Sequence, residues 1–278
     1  MKYLLEVSYD GTNYKGFQLQ PRPTNTVQLV LERALCRFLH TDRVFLALQA
    51  SSRTDTGVHS RQQYCTFFSP RPLSESKLVH CVNALLPEDV AVHSLKLVPR
   101  EFNVRFTYGK IYTYDVHTSS QKDCFLGRYR KAHATKDPLD VDRMRSACDL
   151  FVGDNDFRLL SEWSDRSGRS ESEASTVRRV FAVQVLPIDG GLRIVIFGKG
   201  FLHKQCRNMA GVLLAVGSYH LAPSDVTLLL RPGLPSDLAR PLKTQFKVAE
   251  GRGLTLQRVF LDENDLPEPS DDLHAYLL

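Results

Sequence analysis

From Lys2 to Tyr9 apolar and polar residues alternate, with Leu5, Val7 and Tyr9 on one face and Glu6 and Ser8 on the other. This period of two predicts a strand, which the Asp10-Gly11-Thr12 turn ends. After Thr26, a residue type that caps helices, Val27, Val30, Leu31, Ala34, Leu35, Phe38 and Leu39 fall on one helical stripe. Strands are predicted at Val44 to Leu48 and Gln63 to Phe68, on either side of the polar run Ser51 to His59. A helix from Glu75 to Leu85 and a strand from Val90 to Leu97 complete a β-α-β-β-α-β order, which is ferredoxin-like.

The pattern returns after Phe102. It predicts a strand at Ile111 to His117, a helix near Val141 to Phe151, strands at Val177 to Val185 and Leu192 to Phe197, a helix at Lys204 to Val216, and a last strand at Leu254 to Phe260. The expected fold class is α+β. Two ferredoxin-like (RRM-like) halves, residues 1–101 and 102–262, carry antiparallel or mixed sheets joined into one extended sheet, with helices on one side and an active-site cleft between the halves. Residues 263–278 are expected to form a loosely ordered tail, since Glu263 to Asp272 is acidic and contains proline. Ser161 to Ser175, rich in Ser, Glu, Arg and Gly, reads as a loop, either a solvated linker or a flap that meets RNA through Arg166 and Arg169.

At 278 residues, 42% hydrophobic and 24% charged, the chain can bury a large core, and disorder is not expected. A formal charge of +5 and a pI near 8.9 give a weak vote for a polyanionic partner. The six cysteines show no Cys-x-x-Cys or Cys/His ligand spacing, so neither a zinc site nor a disulfide framework is indicated. No apolar run is long enough to cross a bilayer, and the first strand starts at Lys2. A cytoplasmic protein is expected, with a mitochondrial one as the alternative.

Three polar islands could carry chemistry. In Arg53-Thr54-Asp55-Thr56-Gly57 a carboxylate sits on a glycine-containing loop beside a cation, although alone it reads better as a turn-forming aspartate. Gly198 to Asn208 places glycines, amides and the cations Lys199, Lys204 and Arg207 at a helix start, a setting that suits phosphate, while no P-loop or dinucleotide fingerprint is present. In Arg105 to Tyr114, Lys110, Tyr112 and Tyr114 share a strand face and could form a stacking platform for an extruded base. For Tyr114, simple packing is an equally good reading.

Taken in order, five blocks resemble the TruA family of tRNA pseudouridine synthases. They are Tyr9 to Pro21 with Thr26-Val27-Gln28 and Leu31-Glu32, Arg53 to His59, Phe102 to Tyr114, the Gly153 to Phe157 turn, and the Phe-Leu-x-x-x-x-Arg-x-x-x-Gly helix of Phe201 to Gly217. The resemblance implies that Asp55 is the essential carboxylate, Tyr112 the active-site tyrosine and Arg207 the arginine that pairs with Asp55. It further implies that Arg53 supports the flipped nucleotide, and that Lys15, Gln18, Lys110, Tyr114, Phe201 and Lys204 bind substrate. It implies tRNA as partner, modified in the anticodon arm, a homodimer, and neither metal nor cofactor. The sequence departs from the family pattern at Phe17, Thr56, Ser60, Gln205-Cys206 and Glu250 to Leu254. Competing readings are a non-catalytic RNA-binding protein on the same scaffold and a metal-dependent nuclease using Asp10, Asp55 and Asp156.

Overall fold

The structure is a computed structural model and describes residues 1–21, 24–119, 121, 123–133, 138–162, 175–268 and 273–277. Its contacts divide the α+β chain into two compact units, Met1–Tyr108 with Thr255–Leu266 and Leu277, and Gly109–Leu254 with Pro267–Tyr276 and Leu278. Most of the Ser161 to Ser175 segment, including Arg166 and Arg169, lies outside the described residues.

In the first unit, β1 (Lys2–Tyr9) pairs antiparallel with both β3 (His59–Phe68) and β4 (Val90–Val98). The core joins Tyr3, Leu5, Val7 and Tyr9 of β1 with Cys65 and Phe67 of β3 and with Val90, Val92 and Leu95 of β4. Against these pack the apolar stripes of α1 (Val27–Leu39) and α3 (Glu75–Asn83), through Leu31, Leu35, Leu78 and Val82 among others. Thr26 caps α1 as its sequence position suggested, its side chain accepting from Leu29 N at 3.3 Å.

The strand predicted at Val44 to Leu48 is not there. Arg43–Leu46 forms a one-turn helix, α2, and only Gln49–Ala50 is extended, as β2 against β3. Asp42 caps the turn, accepting from Phe45 N at 2.8 Å, and Arg43 is ion-paired with the buried Glu32 of α1. Val44 and Phe45 face solvent while Leu46 and Leu48 are buried, so the apolar run never had the one-sided pattern of a strand.

In the second unit, β5 (Gly109–His117), β8 (Val177–Ile188) and β9 (Gly191–Gly198) lie in the antiparallel order β5-β9-β8. Two further strands are added. Lys131–Ala132, here β6, pairs parallel with β5. Gly153–Asp156, read from sequence as a turn, is β7 and pairs with Val177 to Val180 of β8. The predicted helix near Val141 is α4 (Val141–Cys148), and the one at Lys204 is α5 (Gln205–Gly217). Helices α6 (Pro223–Leu229) and α7 (Ser236–Thr244) follow, neither of which the periodicity predicted. The last strand, β10 (Leu254–Phe260), pairs parallel with β3 at Thr255 and Leu256. Beyond the acidic stretch, Leu273 and Leu277 are buried. Among the described residues no helix is long and apolar enough to cross a membrane.

Candidate active site

Asp55 stands half-buried on the loop between β2 and β3, next to the exposed Arg53 and Thr56. The loop is held from inside. Phe17 N donates to Thr54 O at 3.0 Å, Gly57 N to Tyr14 O at 3.3 Å, and Val58 N back to Asp55 O at 3.1 Å. The hydroxyls of Tyr9 and Thr54, both buried, are 2.8 Å apart. Burial raises the Tyr9 hydroxyl pKa, and hydrogen bonding with Thr54, Gln63 and Ser60 opposes that rise.

The first sequence block forms a cradle for this loop. A Cβ on Gly11 would lie 2.0 Å from the Val58 carbonyl oxygen, and one on Gly16 2.7 Å from that of Thr54. Gly16 also has φ +97°, a conformation strained for any side chain. Only glycine lets the chain from residue 11 to 17 press against the loop backbone. Gly11 N donates to His59 Nδ1 at 3.0 Å, which ties the loop's far end to the same segment.

Gln28 and Glu32 extend the cradle. Gln28 Oε1 accepts from Gln18 Nε2 at 2.8 Å and from Leu19 N at 2.9 Å, while its amide donates to Glu32 at 2.7 Å. Gln18 and Lys15 are exposed, Gln18 being held by Gln28. These glutamine and glutamate positions therefore have a structural reason to occur in the block.

In the second unit, Tyr112 of β5 is buried, and its ring meets Phe201 edge to face with centroids 5.5 Å apart. The Phe201 ring also covers Gly198, where a Cβ would come within 3.0 Å of it. Lys110, two residues before Tyr112, is largely buried, and burial lowers its pKa to about 8. Tyr114 is fully buried, with its ring against the position of the Gly253 Cβ at 2.8 Å. These surroundings are those of a packed ring and fit the packing reading that the sequence left open for Tyr114.

Helix α5 explains its own motif. Its cap residue Lys204 adopts a left-handed conformation, and Lys204 Nζ donates to Glu162 Oε1, which holds the Glu162 carboxyl below its ordinary range. The charge of Lys204 is thus paired with the exposed Glu162. Arg207 Nε donates to the Ala249 carbonyl at 2.6 Å, and Ala249 N donates to Arg207 O at 3.2 Å. One turn on, a Cβ on Gly211 would lie 2.1 Å from Lys247 O. The arginine and glycine together dock residues 247–249 on the helix.

Within the first unit the structure thus places Asp55 and Arg53 on one loop whose backbone meets Gly16 and Phe17, and within the second it brings Tyr112 and Phe201 into ring contact. Of the carboxylates of the nuclease reading, Asp156 is bonded to Arg158 N at 3.0 Å and Thr176 Oγ1 at 2.5 Å. Among the described residues no group of three or more His, Cys, Asp or Glu could hold a metal ion. Gln63, fully buried behind the Asp55 loop, was not singled out from sequence. The available signal was a glutamine in line with Cys65 and Phe67 on the inward face of β3.

The model of a family described as tRNA pseudouridine synthase matches residues 6–107 and 147–261. The chain belongs to this family. A tRNA pseudouridine synthase A of Bacillus pumilus is 33% identical over 263 residues, covering 94% of this chain and all of that protein. One from Staphylococcus aureus is 33% identical over 267 residues, covering 96% and 94% of the two chains. One from Pseudothermotoga lettingae is 34% identical over 231 residues, covering 82% and 89%. The two matched stretches contain Arg53, Asp55 and Arg207, and Tyr112 lies between them.

Proposed function

We propose that this enzyme converts uridine in tRNA to pseudouridine, with Asp55 as the reacting carboxylate. The observation that carries the reading is a half-buried aspartate on a loop fixed by buried hydrogen bonds, in a chain of this family. The N1–C1′ bond of the nucleotide breaks, the uracil turns, and C5 joins C1′; the C5 proton is lost and N1 gains one. The change is an isomerisation and consumes no oxidant or energy donor.

Cleavage at C1′ leaves oxocarbenium-like charge on the ribose, which a carboxylate stabilises or captures, as in glycoside hydrolysis. By family resemblance Arg207 is the counter-charge for this carboxylate, Tyr112 stacks on the turning base and takes part in removal of the C5 proton, and Arg53 supports the flipped nucleotide. Phe201 steadies Tyr112 through their edge contact, while Lys15 and Lys110 add attraction for the backbone. Family resemblance supports two finer points, a target uridine in the anticodon arm and a homodimer.

The test is tritium release from tRNA labelled at uridine C5, with purified protein and no added cofactor. Release that tracks pseudouridine formation is expected. Absence of both on a full panel of tRNAs would refute the reading.

A further inference from the structure

Gln63 is fully buried on β3, in line with Cys65 and Phe67 of the hydrophobic core, where an apolar side chain would be ordinary. Its amide turns instead toward the root of the Asp55 loop. Oε1 accepts from Ser51 Oγ at 2.6 Å and from Ser52 N at 3.1 Å, and Nε2 donates to Ser52 O at 2.8 Å. Both backbone groups of Ser52 are therefore gripped by one side chain, three residues before Asp55. The Tyr9 hydroxyl bonds Thr54, the residue next to Asp55, and has Gln63 and Ser60 as further side-chain partners.

We infer that Gln63 is a positioning residue for Asp55, fixing the loop so that the carboxylate meets C1′ without ordering at the moment of reaction. A buried polar group costs stability unless its bonds are made, and two of those of Gln63 go to the backbone of Ser52 at the root of the loop. The Ser52 amide and carbonyl cannot find both partners in any apolar replacement. Tyr9 supplies a second hold at Thr54, and β1 is irregular between Val7 and Tyr9, where its pairing with Gln63 gives way to Ser60. The inference rests on Asp55 being the reacting carboxylate.

The experiment measures kcat, KM for tRNA and thermal midpoint for Gln63→Met and Gln63→Glu, with Asp55→Asn alongside. Gln63→Met keeps side-chain length and loses the amide; kcat is expected to fall about 100-fold, the scale of a small misplacement of a reacting group. KM and tRNA affinity should stay close to wild type. In Gln63→Glu the ionised carboxylate faces Ser52 O, whereas the protonated form can donate to it, so activity relative to wild type should recover as pH falls. A Gln63→Met enzyme with wild-type kcat, or a Gln63→Glu enzyme whose pH profile matches wild type, would overturn the inference even while Asp55→Asn is inactive. Full activity of Asp55→Asn would instead overturn the reading on which it rests.

Discussion

Arg207 and Ala249 are joined by a reciprocal pair of hydrogen bonds, Nε to carbonyl at 2.6 Å and amide to carbonyl at 3.2 Å. The guanidinium thus anchors the 247–249 segment through its Nε, and a planar guanidinium carries further donors besides that one. Lysine has no planar fork and cannot serve both uses. Arg207→Lys is therefore expected to lose most of its activity and about 1 to 2 kcal/mol of stability, the worth of one charge-assisted bond. Urea unfolding with single-turnover assays on the same preparation reads both effects.

Gly16 combines a positive φ with a Cβ position 2.7 Å from the Thr54 carbonyl oxygen. Neither backbone can retreat without moving the Asp55 loop. Gly16→Ala should cost about 2 to 4 kcal/mol, the sum of a strained backbone and a backbone clash. Activity per folded molecule should fall as well, which separates this substitution from one that only loosens the fold. Gly200→Ala, where nothing lies within 4 Å, is the control expected to leave stability within about 0.5 kcal/mol.

Lys110 is a largely buried cation whose cost has a pH signature. Its pKa is lowered from 10.5 to about 8 in the folded chain, so between those values the unfolded chain holds more protons than the native one. Stability should then rise with pH from about 8 toward 10.5, and below pH 8 the full penalty of burying the ammonium remains. Lys110→Met is expected to raise the thermal midpoint at pH 7 and to remove that rise. If the charge serves RNA, the same variant binds tRNA more weakly, with a salt slope smaller by about one counterion. Thermal melts from pH 6 to about 10 and a salt titration of binding check the two halves separately.

Much of the fold was legible because its long elements bury one face. The stripe of Val27 to Leu39 and the alternation of Lys2 to Tyr9 needed no tertiary knowledge. The failures have local causes. Val44 to Leu48 looked like a strand, but Asp42 caps a turn there and Arg43 reaches Glu32 of α1, a contact that periodicity does not record. Gly153–Asp156 is a strand without apolar alternation, defined by the partner it pairs with, and α7 carries Pro241 inside it, where sequence rules place a break.

At the site, sequence order pointed to Asp55, Tyr112 and Arg207 but not to what holds them. Gly11, Gly16 and Gly211 were visible as motif letters, and only the structure shows that each lies where a Cβ would strike a carbonyl. Tyr114 shared a face with Lys110 and Tyr112 by alternation, and only the structure shows its ring packed against Gly253. Gln63 was missed because a glutamine in a strand announces no partner, and its partners lie eleven and twelve residues away on the loop.

The most direct measurement is tritium release from C5-labelled tRNA by Asp55→Asn beside the wild-type enzyme, with tRNA binding followed in parallel. The amide is isosteric and uncharged, so it preserves the loop and removes the group that meets C1′. Binding retained with release abolished is the expected result. Release at the wild-type rate would contradict the assignment of Asp55 as the reacting carboxylate.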